Sequence, residues 1–281
     1  MTVKRSPADV AAVICTRNSI SGIRQCLMSL RASGVGEVVV VDANSTDGTK
    51  EHAQPLADRV LQDPGIGLGN ARNIGLAATT SPLILNFGSD NVLPEGQLQK
   101  MIDYLVAHGC QGVSAQTRIP GTDFISQGLD AWRAGRFPPG PAKVIGTPTL
   151  FDGQLLRDHP YNPSRRFSDD SELCERWRRD FGARFAISDA YVEEIGKTTW
   201  DELRVRCRMY GESDYEVFRS GVSGGWSFSR KVQSLAYPAS EDLLTPVSRL
   251  GLQRGAQALP FLALFTALRY QGWLSHALKG R

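Results

Sequence analysis

Short apolar runs alternate with amphipathic stretches through the first 118 residues, the pattern of βαβ units laid side by side in a parallel sheet. Residues 10–15 read as a first strand. Residues 20–32 read as a helix with Ile23, Leu27 and Leu30 on one face, closed by Gly34 and Gly36. The β-branched run 37–41 has the composition of a strand buried on both faces. The capping cluster Asn44-Ser45-Thr46-Asp47 then opens a helix predicted to reach residue 57. Further strands are predicted at 60–61, 82–87 and 112–117, and helices at 70–78 and 98–107. From 118 to 168 the chain is rich in Gly, Pro and aromatics, which suits substrate-shaping loops with one strand at 143–150. Residues 170–180 predict a helix whose apolar face carries Leu173, Trp177 and Phe181, and more helices are expected at 200–209, 214–220 and in the tail.

The polar residues stand at the ends of these strands. Thr16-Arg17-Asn18 follow the first, Asp42 the second, and Ser89-Asp90-Asn91 the fourth. With right-handed connections in an open parallel sheet, all three clusters reach the carboxyl edge, where such folds bind ligands.

Composition narrows the class. The 281 residues are 41% hydrophobic and 22% charged, which excludes a fibrous or disordered chain and allows a core without disulfides. Five cysteines, with no CxxC pair, argue against a disulfide framework or a zinc site. The net charge is +3, yet residues 1–242 carry −2, and the tail holds Arg249, Arg254, Arg269, Lys279 and Arg281 with no acid. The body is therefore no nucleic-acid binder. The N-terminal MTVKRSPAD is polar and the apolar run behind it is too short for a signal-peptide core, so a cytoplasmic location is expected. The longest apolar stretch, 259–268, is about half the ~20 residues a spanning helix needs. The tail either packs on the core or a second subunit, or lies on anionic lipid through Leu259, Phe261, Leu262, Leu264, Phe265 and Leu268.

Four strings carry candidate chemistry. GIGLGNARNIG, 65–75, fails the dinucleotide fingerprint, with Arg72 or Asn70 where a small residue is required, and it follows the third strand rather than the first. Arg72 is then either a solvated cation or one suited to a diphosphate. Asp42 can accept from a ribose hydroxyl or a base N–H. Asp90 either caps a turn ahead of Pro94 or, with diphosphate oxygens and waters, holds Mg²⁺ or Mn²⁺. Asp169-Asp170 either favour a helix start or supply a general base. A sugar-phosphate nucleotidyltransferase would need a Gly-rich triphosphate loop after the first strand, and TRNSISG is not one.

Together VICTRN, VVVDANSTDGT, GIGLGNARNIGL and LILNFGSDNVLP resemble the family-2 glycosyltransferases, inverting enzymes of the GT-A fold, in order and spacing. RRFSDDSELCERWRRDFGARF resembles the acceptor-side segment of that family, so the likeness covers residues 10–190. The resemblance implies an α/β, GT-A-like, doubly wound and mostly parallel sheet with a helical C-terminal extension. It divides the chain into a nucleotide-sugar-binding half, 1–118, an acceptor-side half, 119–199, and the extension, 200–281. It implies that Thr16, Asn18 and Asp42 hold the nucleoside, that Arg72 and Ser89 lie near the donor, that Asp90 is the last acid of the metal-binding DxD motif for Mn²⁺ or Mg²⁺, and that Asp170 is the catalytic base. Gly88 replaces the first DxD acid, and Asp169 replaces the usual Glu of the acidic pair. No QxxRW string of processive synthases is present. Arg206 and Arg208 either belong to a solvated basic helix or close over the diphosphate. The implied function is transfer of a sugar from a nucleotide-diphosphate donor to a glycan or lipid-linked acceptor, in bacterial surface polysaccharide or glycolipid synthesis at the inner membrane face. The alternative is a catalytically inactive, membrane-associated nucleotide-sugar-binding or scaffold protein.

Overall fold

The apolar runs near the N-terminus form strands, and each strand ends within a residue or two of its predicted limit. The computed structural model describes residues 4–164 and 169–279. The first four residues of the string RRFSDD…, 165–168, and the tail's Arg281 lie outside the described residues, as do residues 1–3 of the polar N-terminus. The chain divides into two compact units: residues 1–118 with 139–195, and residues 119–138 with 196–281.

The first unit contains β1 (Val10–Thr16), α1 (Ile20–Ala32), β2 (Glu37–Asp42), α2 (Thr49–Ala53), β3 (Arg59–Gln62), α3 (Leu68–Ala77), β4 (Leu83–Gly88), β5 (Asn91–Val92), α4 (Gln97–His108) and β6 (Gly112–Arg118). The second contains α5 (Phe124–Arg136). The chain then returns to the first unit for β7 (Gly140–Ala142), β8 (Thr149–Asp152), α6 (Gly153–Asp158), α7 (Asp169–Phe181) and β9 (Phe185–Glu194). It ends in the second unit with α8 (Trp200–Ser223), α9 (Phe228–Pro238), a π-helical turn (Ala239–Leu244), α10 (Thr245–Arg249) and α11 (Leu252–Lys279).

In the first unit one sheet runs in the order β3-β2-β1-β4-β8-β6-β9-β5, with β7 paired to β9. β1, β2, β3 and β4 are mutually parallel, and β6 and β9 share their direction because β8 lies antiparallel between β4 and β6. The sheet is thus mixed and mostly parallel. Val10, Ala12 and Ile14 of β1 join Ile23, Leu27 and Leu30 of α1 and Leu98, Met101 and Ile102 of α4 in one core. On the opposite face α3 approaches β1 so closely that a Cβ on Gly75 would overlap Val13 Cγ1. Gly75→Ala is expected to destabilise the chain by about 1–3 kcal/mol, despite alanine's better helix propensity, because Val13 is fixed in a central strand. A shift in the urea midpoint with unchanged slope is the readout.

In the second unit Ile125, Leu129 and Trp132 of α5 pack with Leu203 and Cys207 of α8 and with Phe261, Leu262 and Phe265 of α11. α8 and α11 cross where Gly211 lies against the backbone of Arg269, Gly272 and Trp273. Asp242, on the π-helical turn, is fully buried; it accepts from Trp132 Nε1 at 3.0 Å, from Arg269 Nη1 at 2.6 Å, and from Arg136 Nη1. Arg269 also donates to both oxygens of Asp214, at 2.6 and 2.8 Å.

Several expectations change. Residues 119–138, expected as substrate-shaping loops of the acceptor-side half, contain α5, started by Asp123 accepting from the Ile125 and Ser126 N–H groups, and they belong to the second unit. The expected strand 143–150 is displaced to β8, which keeps only residues 149 and 150 of it and runs on to Asp152, because Gly146 and Pro148 break the run before it. The expected helix 44–57 begins only at Thr49, because Asp42, Ser45 and Asp47 use their hydrogen-bonding groups in the preceding turn. The two helices at 200–209 and 214–220 are one, α8. The tail packs: Phe261, Leu262 and Phe265 are at most 1% exposed, and Arg249, Arg254 and Arg269 bond to Gly135 O, Asp130 and Asp214 within their own unit. Among the described residues no helix is long and apolar enough to cross a membrane.

Candidate active site

Strand register alone gathers three of the marked positions. Thr16 pairs with Asp42 across β1 and β2, and Cys15 pairs with Gly88 across β1 and β4, so three parallel strands finish level at their carboxyl ends. The loops beyond them are tied to one another. Asp42, 4% exposed, accepts from the Ser45 N–H at 2.9 Å and from the Ser45 hydroxyl at 2.5 Å. Ser45 Oγ in turn accepts from the Asn18 N–H, and Asn18 Oδ1 accepts from the Thr46 N–H, both at 2.9 Å. Asn18 and Asn44 take left-handed φ values of 49° and 55°, which asparagine tolerates better than most residues. Thr16 Oγ1 is buried without a hydrogen-bond partner among the described residues, an unsatisfied group at the rim of this loop cluster.

The loop after β4 is shaped by its glycine. Asn91 Oδ1 accepts from the Gly88 N–H at 3.2 Å, Ser89 and Ser19 share a hydroxyl contact at 3.0 Å, and the Asp90 carbonyl accepts from the Ile195 N–H at 2.8 Å. A Cβ at position 88 would stand 2.6 Å from Asn91 Oδ1 and 2.8 Å from Asp90 Oδ1. The loop has thus closed over the place where the first acid of a DxD motif would leave the backbone. Among the described residues no three His, Cys, Asp or Glu side chains gather to hold a metal. Asp90 therefore fits a hard cation only if oxygens of a bound donor complete the coordination, which is how Mg²⁺ and Mn²⁺ are commonly held beside phosphates.

A second cluster joins residues 97 positions apart in sequence. Arg72 Nη1 donates to Asp169 Oδ2 and to Asp170 Oδ1, each at 2.6 Å, and Nη2 donates to Thr147 Oγ1 at 2.6 Å. Its guanidinium also lies over the Tyr161 ring, 5.0 Å from the centroid. Tyr161 is fixed from both sides: its hydroxyl accepts from Asn86 Nδ2 at 2.8 Å, and its backbone exchanges hydrogen bonds with the Asn73 side chain. Gly69 lets α3 approach this segment, since a Cβ there would be 2.9 Å from Asn162 O. Burial pulls the Arg72 guanidinium down, but Asp170, Tyr161 and Asp169 outweigh it and its pKa lies above the usual arginine value. Burial pushes the Asp169 carboxyl above its ordinary range, opposed by Arg72 and reinforced by the neighbouring Asp170. The Asp169 side chain is 6% exposed and that of Asp170 20%. Asp170 receives Arg72 on Oδ1, while its Oδ2 lies over Gly146, where a Cβ would still be 3.8 Å away.

Thr16, Asn18, Asp42, Ser89 and Asp90 stand in the loops at the carboxyl edge of the sheet. Arg72, read from sequence as a solvated or diphosphate-facing cation, is buried against the acidic pair. Arg206 and Arg208 stand on α8 in the second unit, where Arg208 faces Glu212 at 3.9 Å and lines a groove with Arg204, Leu268 and Gln271. Asn86, Thr147 and Tyr161 were not marked by sequence. The signal available was Asn86, a polar residue inside the apolar run LILNF, which needs a buried partner and finds the Tyr161 hydroxyl.

A mixed, mostly parallel sheet flanked by helices, with its polar loops gathered at the carboxyl edge, is the GT-A glycosyltransferase fold. The chain belongs to glycosyl transferase family 2, whose model matches residues 11–169. An uncharacterized glycosyltransferase of Rickettsia felis is 32% identical over 98 residues, 35% of this chain and 34% of that protein. The matched stretch thus spans about a third of the length of the curated relatives. Among solved structures, the mannosyltransferase PcManGT of Pyrobaculum calidifontis, in complex with GDP-Man and Mn²⁺, superposes with a TM-score of 0.63 at 18% identity, over 99% of this chain and 89% of that one. The glucosyl-3-phosphoglycerate synthase of Mycobacterium tuberculosis, in complex with Mn²⁺, UDP-Glc and phosphoglyceric acid, superposes with a TM-score of 0.51 at 20% identity, over 69% and 74% of the two chains.

Proposed function

We propose that the chain is an inverting glycosyltransferase that moves a sugar from a nucleoside-diphosphate donor to an acceptor hydroxyl. The observation that carries this reading is the acidic pair of α7 bound to Arg72 in the same unit as the carboxyl-edge loops. Thr16, with its unsatisfied hydroxyl, Asn18 and Asp42 would hold the nucleoside, and Ser89 and Asp90 would face the diphosphate. A divalent cation, Mn²⁺ or Mg²⁺, would be held by Asp90 and would supply charge neutralisation for the leaving diphosphate; Mn²⁺ is present in both solved neighbours. Asp170 Oδ2 would take the proton of the acceptor hydroxyl as that oxygen bonds to the anomeric carbon and the bonding pair of the C–O link departs with the diphosphate. Asp169 and Arg72 would hold Asp170 in place. The acceptor is a glycan or a lipid-linked saccharide, and the product a surface polysaccharide or glycolipid made at the inner face of a bacterial membrane.

Calorimetry tests this directly, using UDP, GDP, dTDP and their sugar conjugates with Mn²⁺, Mg²⁺ or EDTA. One nucleotide is expected to bind in a metal-dependent way, and Asp90→Ala is expected to weaken it at least about tenfold, as for loss of a charge-assisted contact. Absence of binding to every nucleotide overturns the transferase reading and leaves a scaffold.

A further inference from the structure

Helix α9 is built the wrong way round for a helix packed on a protein core. At helical spacing Phe228, Val232, Leu235 and Ala236 fall on one stripe, the side that normally faces inward. Here that stripe faces solvent: Phe228 is 81% exposed, Val232 48% and Leu235 41%, and Ala236 is exposed as well. The helix is anchored instead by polar groups. The Tyr270 hydroxyl donates to Leu235 O at 2.7 Å, Arg136 Nη2 donates to the Tyr237 hydroxyl at 2.8 Å, and Pro238 is buried.

The turn before α9 packs on α8 and carries an aromatic and a base. A Cβ on Gly221 would overlap the Trp226 ring, the Trp226 N–H donates to Gly221 O at 2.9 Å, and Ser227 caps α9 by accepting from the Arg230 N–H. The Arg230 guanidinium lies over the Trp226 indole, 5.1 Å from the centroid. Between Val217 and Ser240 the bases are Arg219, Arg230 and Lys231, and there is no acid.

We propose that α9 and the Trp226 turn form a docking surface for an anionic lipid bilayer, with Phe228, Val232 and Leu235 entering the acyl boundary and Arg230 and Lys231 meeting the headgroups. The arrangement has the physical marks of an interfacial helix: an exposed apolar stripe, a tryptophan at its edge and basic residues without acids. A second copy fits less well. Eleven residues of helix extend about 16 Å, and one such stripe falls far short of the ~800 Å² per partner of a stable interface. On α11 Phe261, Leu262 and Phe265 are buried and Arg254 and Arg269 have protein partners, whereas Leu252, Leu259, Leu274 and Leu278 are exposed, so α11 is the competing lipid-facing element that the test must separate from α9. The proposal stands apart from the transfer chemistry, since it involves no residue of the carboxyl-edge site.

Flotation of the full chain with vesicles tests it, using phosphatidylcholine alone or mixed with phosphatidylglycerol. Wild type is expected to float with the anionic vesicles and at least about tenfold less with neutral ones or at high salt. F228D/V232D and R230Q/K231Q are each expected to lower the floated fraction at least about tenfold at wild-type circular dichroism and melting temperature, while L274D/L278D on α11 leaves it unchanged. Equal flotation of F228D/V232D and wild type overturns the proposal, as does loss of flotation in L274D/L278D alone or no flotation of wild type. A wild-type dimer that F228D/V232D converts to monomer, without flotation of either, overturns it in favour of a second copy.

Discussion

Asp170→Asn is expected to lower kcat by about 10²- to 10⁴-fold, the usual contribution of a general base, while donor affinity stays within about twofold of wild type. The asymmetry of the acidic pair motivates the choice of residue. Both carboxylates share Arg72 Nη1, but Asp169 is the more deeply buried, and Asp170 keeps Oδ2 over the side-chain-free Gly146. The amide side chain introduced by Asp170→Asn would preserve the Oδ1 contact to Arg72 and remove the proton acceptor. Formate is expected to restore part of the activity of Asp170→Ala and none of that of Asp169→Ala, because a free carboxylate can replace a base but not a buried anchor. Steady-state turnover and donor titration on the same preparations check this. An Asp170→Asn enzyme with unchanged kcat would falsify the assignment of the base.

Asp242→Ala is expected to cost about 3–5 kcal/mol, the penalty for removing one partner of a buried ionic network. The carboxylate has no exposed surface and receives Trp132, Arg136 and Arg269, so its loss leaves the buried Trp132 indole N–H and the half-buried Arg136 guanidinium short of an acceptor. Arg269 retains Asp214, which localises the damage to Arg136 and the Trp132 indole. Asp201→Ala, breaking the exposed pair Arg204–Asp201, should leave the denaturation midpoint unchanged. Urea titrations of the two variants against wild type separate these outcomes. A midpoint for Asp242→Ala equal to that of Asp201→Ala would show that the network contributes no stability.

What could be read from the chain followed from periodicity. The strands β1, β2, β4 and β6 and the helices α1 and α4 were legible because apolar residues recur there with one clear period and their ends carry turn residues. Helix α5 was hidden: its apolar positions Ile125, Leu129 and Trp132 have helical spacing, but Gly and Pro on both sides give the region the composition of a loop. Strand β9 went unread although FAISDAYVEE is rich in residues that favour strands, because no turn signal separates it from α7 beyond Gly182. Strand ends placed Thr16, Asp42 and Asp90 at the carboxyl edge of the sheet through topology alone. The Arg72 contact with Asp169 and Asp170 was not legible, because a cation's partner 97 residues away leaves no local pattern, and charge chemistry alone favours a diphosphate as readily as a carboxylate.

The chain enters the second unit at residue 119, leaves it at 138 and re-enters at 196. During synthesis α5 therefore emerges well before α8 and α11, the helices that cover it. With the ribosome adding about 5–20 residues per second, Ile125, Leu129 and Trp132 wait for several seconds before Phe261 and Phe265 exist to bury them. The sheet-bearing unit has its last strand by then. Translation thus passes through a stage in which a nearly complete first unit carries an uncovered apolar helix in mid-chain.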